Sequence, residues 1–458
     1  KISAASGGYG VITNVYAYTA LLMVLLTYGM ETTFFRFANK EGENPQKVYS
    51  TILISVATTP SLFFLLVVAF LPQISGAMGY GDHPSYIWVM ALTVAIDAFQ
   101  CIPFAYLRQS KRPMKFAALK MLFIVLNILL NIIYFIVMPA LYQTNPDIID
   151  MVYNPEVGAG YAFYNLACTA TITLFFWREL TGFRYVFDRQ LLKRMLSYSW
   201  PILVLGIAGI LNQTADKILF PYIYKGDDAH EQLGIYGAAS KIAMIMAMIT
   251  QAFRYAYEPF VFGKAKDKDN RDTYAKAMKY FIIFTLLAFL MVVGYIDILK
   301  CIIGRDYWSG LRVVPIVMAA EIMMGVYFNL SFWYKLIDKT FWGAWFSGIG
   351  CLVLVSINIL MVPRYGYMAC AWAGFAGYAT AMTVSYLVGQ KKYPINYPLG
   401  EIALYVAIAI VMFAAMQYSN SHLDTLAALT VNSLLITAFA AIIIYKDFKT
   451  IIINRLKK

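Results

Sequence analysis

Leu233-Gly234-Ile235-Tyr236-Gly237-Ala238-Ala239-Ser240-Lys241 carries a Tyr-Gly pair 227 positions after Tyr9-Gly10. At the same offset Glu31 recurs as Glu258, Arg108 as Lys335, Arg112 as Lys339 and Asn131 as Asn358. Shared spacing between otherwise dissimilar halves reads as an internal duplication. Both copies consist of long apolar segments broken in the same register, so the repeat unit is a membrane bundle. The step from the span at 9–38 to its partner at 234–263 crosses six helices, an even number, so the copies are parallel repeats. Two similar bundles that rock about a central site are the machinery of alternating access, which makes transport the leading functional class.

Composition agrees. Of the 458 residues 60% are hydrophobic and 14% charged, far from the balance of a water-soluble chain. Thirteen apolar spans run from 9–38 to 425–445, most of them reaching the roughly 20 residues a spanning helix needs. Subtracting the offset from the span at 199–222 places its counterpart before Lys1, so a first helix is expected to be missing. The expected fold is all-α and polytopic, with two pseudo-symmetric six-helix lobes plus two C-terminal helices. Its parts are an N-terminal lobe at 1–178, a linker at 179–198, a C-terminal lobe at 199–389, and two further helices with a basic tail at 390–458.

The net charge of +12 invites a nucleic-acid reading, but the cations alternate with the spans. Most lie in every second loop, among them Arg108, Lys111, Arg112 and Lys115, the run Arg178 to Arg194, and Lys446 to Lys458. By the positive-inside rule these loops and the C-terminus are cytoplasmic. The five cysteines have no CxxC spacing and the three histidines stand in separate loops, which speaks against a metal site. No phosphate-cradling glycine loop, nucleophile elbow or long extramembrane segment suggests an enzyme or a cofactor.

Charge at mid-bilayer costs about 3 kcal/mol or more, so the ionisable residues deep in the spans are candidates for function. They are Glu31, Asp97, Asp216, Lys217, Lys241, Arg254, Glu258 and Glu321, with Lys120 nearer a span end. Arg254 and Glu258, four apart, either neutralise each other or serve separately. Glu31 lacks a partner at its own helical spacing, because Thr27 stands where Arg254 does in the second half. Its repetition as Glu258 points to acids lining the space between lobes, with Asp216 as a further coupling candidate. Lys241 either meets an anion or pairs with Asp216 or Glu321. Asn131 and Asn358 are either interhelical glue or sugar-hydroxyl contacts.

The run Asp216-Lys217-Ile218-Leu219, followed by Leu233 to Lys241, resembles the seventh and eighth helices of polysaccharide and O-antigen flippases. Tyr9-Gly10, Tyr28-Gly29-Met30-Glu31 and Phe34-Phe35-Arg36-Phe37 look like the second helix of the same family. The resemblance implies a bacterial inner-membrane protein that moves an undecaprenyl-diphosphate-linked oligosaccharide outward and works beside glycan polymerase or assembly machinery. It implies that basic residues meet the diphosphate; Lys217 and Lys241 match the motif, and Arg254 is added from its position. The alternatives are a multidrug exporter of the same fold, which is expected to rely on acidic and aromatic groups, and a peptidoglycan-precursor flippase. A membrane-embedded glycan polymerase is a distant third.

Overall fold

In the computed structural model of the chain, residues 8–40, 42–144, 159–264, 271–336, 339 and 341–448 are described, and among them every regular element is a helix. Hydrocarbon offers no partner for backbone N–H and C=O groups, so an apolar run of this length satisfies them internally. The principal helices are α1 (Gly8–Thr27), α2 (Met30–Ala38), α3 (Pro45–Ala69), α4 (Ser85–Gln109), α5 (Pro113–Ile132), α6 (Ala159–Leu174) and α7 (Arg189–Ile223). They continue with α8 (Ala229–Lys264), α9 (Arg271–Gly294), α10 (Val314–Leu330), α11 (Phe341–Tyr365), α12 (Tyr367–Lys392), α13 (Leu399–His422) and α14 (Thr425–Ile443).

Eleven spans among the described residues are long and apolar enough to cross a membrane, against thirteen expected. The two that differ have separate causes. The span expected at 157–178 lies partly outside the described residues, and within them Asn165–Leu174 is a shorter apolar helix. Helix α12 has 26 residues but is built largely of Ala, Gly, Tyr and Thr, which lowers its hydropathy. Small residues let it pack closely instead. Gly350 of α11 and Gly377 of α12 face each other so tightly that a Cβ on either would lie 2.8–2.9 Å from the other's carbonyl oxygen.

The chain forms two compact units. One takes Val11–Ile218; the other takes Leu219 onward together with Gly8–Gly10. The division falls inside α7.

Polar contacts hold residues 179–194 to the first unit. Tyr49 of α3 donates to the Glu179 carbonyl at 3.1 Å, Ser50 accepts from the Val186 amide at 2.8 Å, and Lys47 pairs with Asp188 at 2.6 Å. Glu179 itself is buried, held by Lys115 at 2.6 Å and Arg112 at 3.6 Å. Arg194 meets Glu43 at 2.7 Å. The segment is thus strapped to the first unit, and α7 begins there: Asp188 caps it by accepting from the Gln190 and Leu191 amides at 2.8 and 2.9 Å. Farther along, Asn14 of α1 donates to the Lys217 carbonyl at 2.8 Å and accepts from Tyr80 at 2.9 Å.

The Lys47 ammonium, then the two amides, hold the Asp188 carboxyl down at about 2. A depressed carboxyl stabilises the fold above its ordinary value near 4, and that contribution fades as pH falls toward 2. Protease cleavage between Gly182 and Asp188 is therefore expected to rise across that window. Asp188→Asn keeps a capping oxygen but loses the charge, so its cleavage should not change with pH there; an unchanged pH dependence would assign the effect to another group.

In the second unit α8 and α12 both pack on α10, while α13 and α14 pack on α9. Tyr405, Met416 and Phe439 of the last two helices are buried against Phe281 and Leu290 of α9. Polar contacts finish that joint: Lys279 of α9 pairs with Glu401 at 2.5 Å and with Asp447, and Tyr405 donates to the same Asp447.

Candidate functional site: charged groups within the two units

A break in the first span sets the position of Glu31. Tyr28 and Gly29 adopt φ of 34° and 72°, ending α1 and starting α2, so Glu31 falls in the first turn of α2, where a helix N-terminus favours an anion. Gly29 is required twice over, for its left-handed φ and because a Cβ would approach Ile202 of α7 to 3.0 Å. The sequence left Glu31 unpartnered on its own helix. Its partner comes from another: Arg108 at the end of α4 forms an ion pair with it, and the Cys101 thiol donates to its other oxygen at 3.2 Å. Arg108 also lies over the rings of Phe35 and Phe116. Reading Arg108 only as a loop cation missed this. The joint recurrence of Glu31 with Arg108, as Glu258 with Lys335, was the available signal.

Asp216 and Lys217 are brought together. The Lys217 ammonium lies 3.2 Å from Asp216 and donates to the Gln213 carbonyl at 2.8 Å. Asn131 donates to the Asn127 carbonyl at 2.6 Å, and Asn127 donates to Asn165 of α6 at 3.0 Å, so this pair ties α5 to α6. Asn358 is buried and donates to the Leu354 carbonyl of its own helix at 2.9 Å. Both asparagines thus have packing partners.

Lys241 and Arg254 share α8. Lys241 is exposed and makes no ion pair among the described residues of the second unit, Glu321 included. Arg254 is half-buried beside a crevice lined by Thr250, Phe253, Tyr257, Phe328, Asn329 and Phe332, with room for about one water molecule. Its guanidinium sits 5.1 Å from the centre of the Phe328 ring. Gly325 opens the crevice, since a Cβ there would stand 2.3 Å from the Phe281 ring. Thirteen residues of continuous helix put the two cations roughly 20 Å apart and about 140° around the axis. One diphosphate cannot touch both at once. Glu258 lies on the same helix, but its side chain, like that of Lys335, is outside the described residues.

The bundle thus holds paired charges inside its first unit and cations spaced along one helix of its second. A family model described as "Polysaccharide biosynthesis protein" matches residues 6–256, more than half of the chain. The chain belongs to this family. A similar protein, the uncharacterized membrane protein YabM of Bacillus subtilis (strain 168), is 24% identical over 438 residues, covering 89% of this chain and 79% of its own length. The family inferred from the Tyr-Gly and Asp-Lys runs is therefore the one found.

Among solved structures, the lipid II flippase MurJ in an inward closed conformation superposes with a TM-score of 0.66 at 17% identity, covering 96% of this chain and 97% of that one. An inward-facing multidrug resistance transporter of the MATE family and MOP superfamily reaches 0.61 at 15% identity over 85% of this chain and 95% of its own. The MATE multidrug transporter DinF-BH reaches 0.59 at 16% identity, with coverages of 85% and 89%. This member of the polysaccharide biosynthesis family is thus a multi-pass membrane protein with the fold of flippases and exporters.

Proposed function

We propose that the protein moves an undecaprenyl-diphosphate-linked oligosaccharide, the repeat unit of a surface polysaccharide, from the cytoplasmic to the outer leaflet of the bacterial inner membrane. The observation that carries this reading is the spacing of Lys241 and Arg254 along α8. Two cations set about 20 Å apart on one helix suit an anionic headgroup that is passed between stations, Lys offering a point charge and Arg a bidentate grip. Family membership and the flippase-like fold support it. The cation excess of α8 disfavours a cationic drug as cargo, and the cytoplasmic C-terminus follows from the distribution of Lys and Arg. Work beside a glycan polymerase belongs to the same reading, and no cofactor enters it.

The direct test is flipping of a fluorescent undecaprenyl-diphosphate oligosaccharide in vesicles containing the purified full chain. Protection of the probe from an external quencher should change at a rate proportional to the amount of protein. Equal rates in protein-free vesicles, or transport of a cationic dye in its place, would reject the assignment.

A further inference from the structure

Among the described residues of the first unit, the carboxyl farthest from a helix end is not Glu31. Asp97 sits at the middle of α4, about 18 Å of helix from either end, and is half-buried where α4 meets α5 and α6. Its surroundings are polar in a way the span sequence did not announce. Thr169 of α6 and Lys120 of α5 are its polar neighbours. One turn on, Gln100 donates to the Thr169 carbonyl at 2.7 Å and to Thr173 at 2.8 Å, fixing α6 against α4. The Lys120 ammonium lies 4.1 Å from the centre of the Phe104 ring.

The two acids differ in what protonation would do to them. Glu31 has Arg108 as a direct ionic partner and the Cys101 thiol as a donor, so a proton there would strand an arginine that cannot lose its own. Asp97 makes no ion pair within 4 Å among the described residues, has a neutral hydroxyl as a neighbour, and the nearby lysine already rests on an aromatic face. A hydroxyl can accept from a protonated carboxyl as readily as it donates to an ionised one.

We propose that Asp97 is the proton-binding carboxyl of the first unit, with Lys120 as the cation that its charge balances. The inference rests on the transport reading and names the group through which a proton gradient would enter it. Protonation converts the carboxylate to the acid, Lys120 keeps its charge, and the unit gains one positive charge. A proton fits better than a metal ion, because one carboxylate beside a lysine offers neither the ligand count nor the charge a metal needs. Cys168 of α6 lies near Asp97; one turn farther along α4 stands Cys101, with Arg108 beyond it and Glu31 of α2 paired to both. Helices α3 and α1 also pack on α4: the α3 sequence holds only Lys47 and Tyr49 as ionisable groups, both in its first turns, and α1 sets Tyr18, Leu22 and Met23 against Met90, Val94 and Ala98.

The test is infrared difference spectroscopy of the purified full chain in lipid nanodiscs as pH is stepped. A carbonyl band of a protonated carboxyl should appear on acidification and shift when the protein carries ¹³C-labelled aspartate. Asp97→Asn should remove it and Glu31→Gln should keep it. Asp97→Glu should restore a band that no longer responds to aspartate labelling, and Lys120→Gln should displace its midpoint. A band insensitive to aspartate labelling in the unsubstituted protein, or none at all, overturns the proposal without needing any variant to fold. A band lost in Glu31→Gln and kept in Asp97→Asn overturns it as well. No cargo is present, so failure here leaves the flipping assay to decide the cargo, and failure there leaves the proton site intact.

Discussion

Arg254→Ala is expected to slow flipping of the lipid-linked oligosaccharide by roughly ten- to a hundred-fold, the loss of one charge-assisted bond worth about 1.5–3 kcal/mol. The side chain lies against Phe328 at the edge of an aromatic crevice, so truncation removes a guanidinium while Phe253, Tyr257 and Phe332 keep their packing. Arg254→Lys keeps the charge and loses the planar fork, and should recover only part of the rate. Lys241→Ala should show a similar fall with Lys241→Arg close to normal, because a solvated point charge has no geometry to lose. Initial rates in vesicles, normalised to folded protein, decide the matter. If Arg254→Ala flips the oligosaccharide at the unsubstituted rate, the guanidinium is a packing partner and its assignment to the substrate path fails.

A second large effect is expected in stability. Asp447 accepts from both Lys279 and Tyr405 where α9, α13 and α14 converge, and the Lys279 and Asp447 side chains are only 11% and 6% exposed. Removing one partner of a buried pair costs about 3–5 kcal/mol, because the other charge stays desolvated. Here Glu401 remains 2.5 Å from the lysine and takes part of the load, so Asp447→Ala should cost nearer to about 2–3 kcal/mol. The paired replacement Lys279→Met with Asp447→Leu removes both charges and should be far milder than the single change. Thermal unfolding of the detergent-solubilised chain measures both. A double variant no better than Asp447→Ala would mean that shape, and not charge, holds the joint.

These two cases show where a sequence stops speaking. Apolar runs reported the helices well, because hydrocarbon leaves the backbone one solution; the Tyr28-Gly29 step stood out because glycine allows a left-handed turn. The partner of Glu31 was not legible in the same way. Helical spacing relates neighbours on one rod, whereas Arg108 arrives from another rod 77 positions later. Lys279 and Asp447, 168 positions apart, share no spacing rule at all, and each alone reads as a charge near a span end. Lys241 and Arg254 are the opposite case. Both were named from sequence as cations out of place, and their separation follows from α8 being one uninterrupted helix.

The strapping of residues 179–194 onto α3 and α5 bears on how the protein is made. All its anchors, from Glu43 and Lys47 to Lys115, precede the strap in the chain. They have therefore left the ribosome before Arg194 does. The first unit can close its polar contacts once α7 has been translated, while most of the second has yet to be synthesised, so membrane insertion can proceed unit by unit. Late misinsertion of the C-terminal helices then need not undo what was built first.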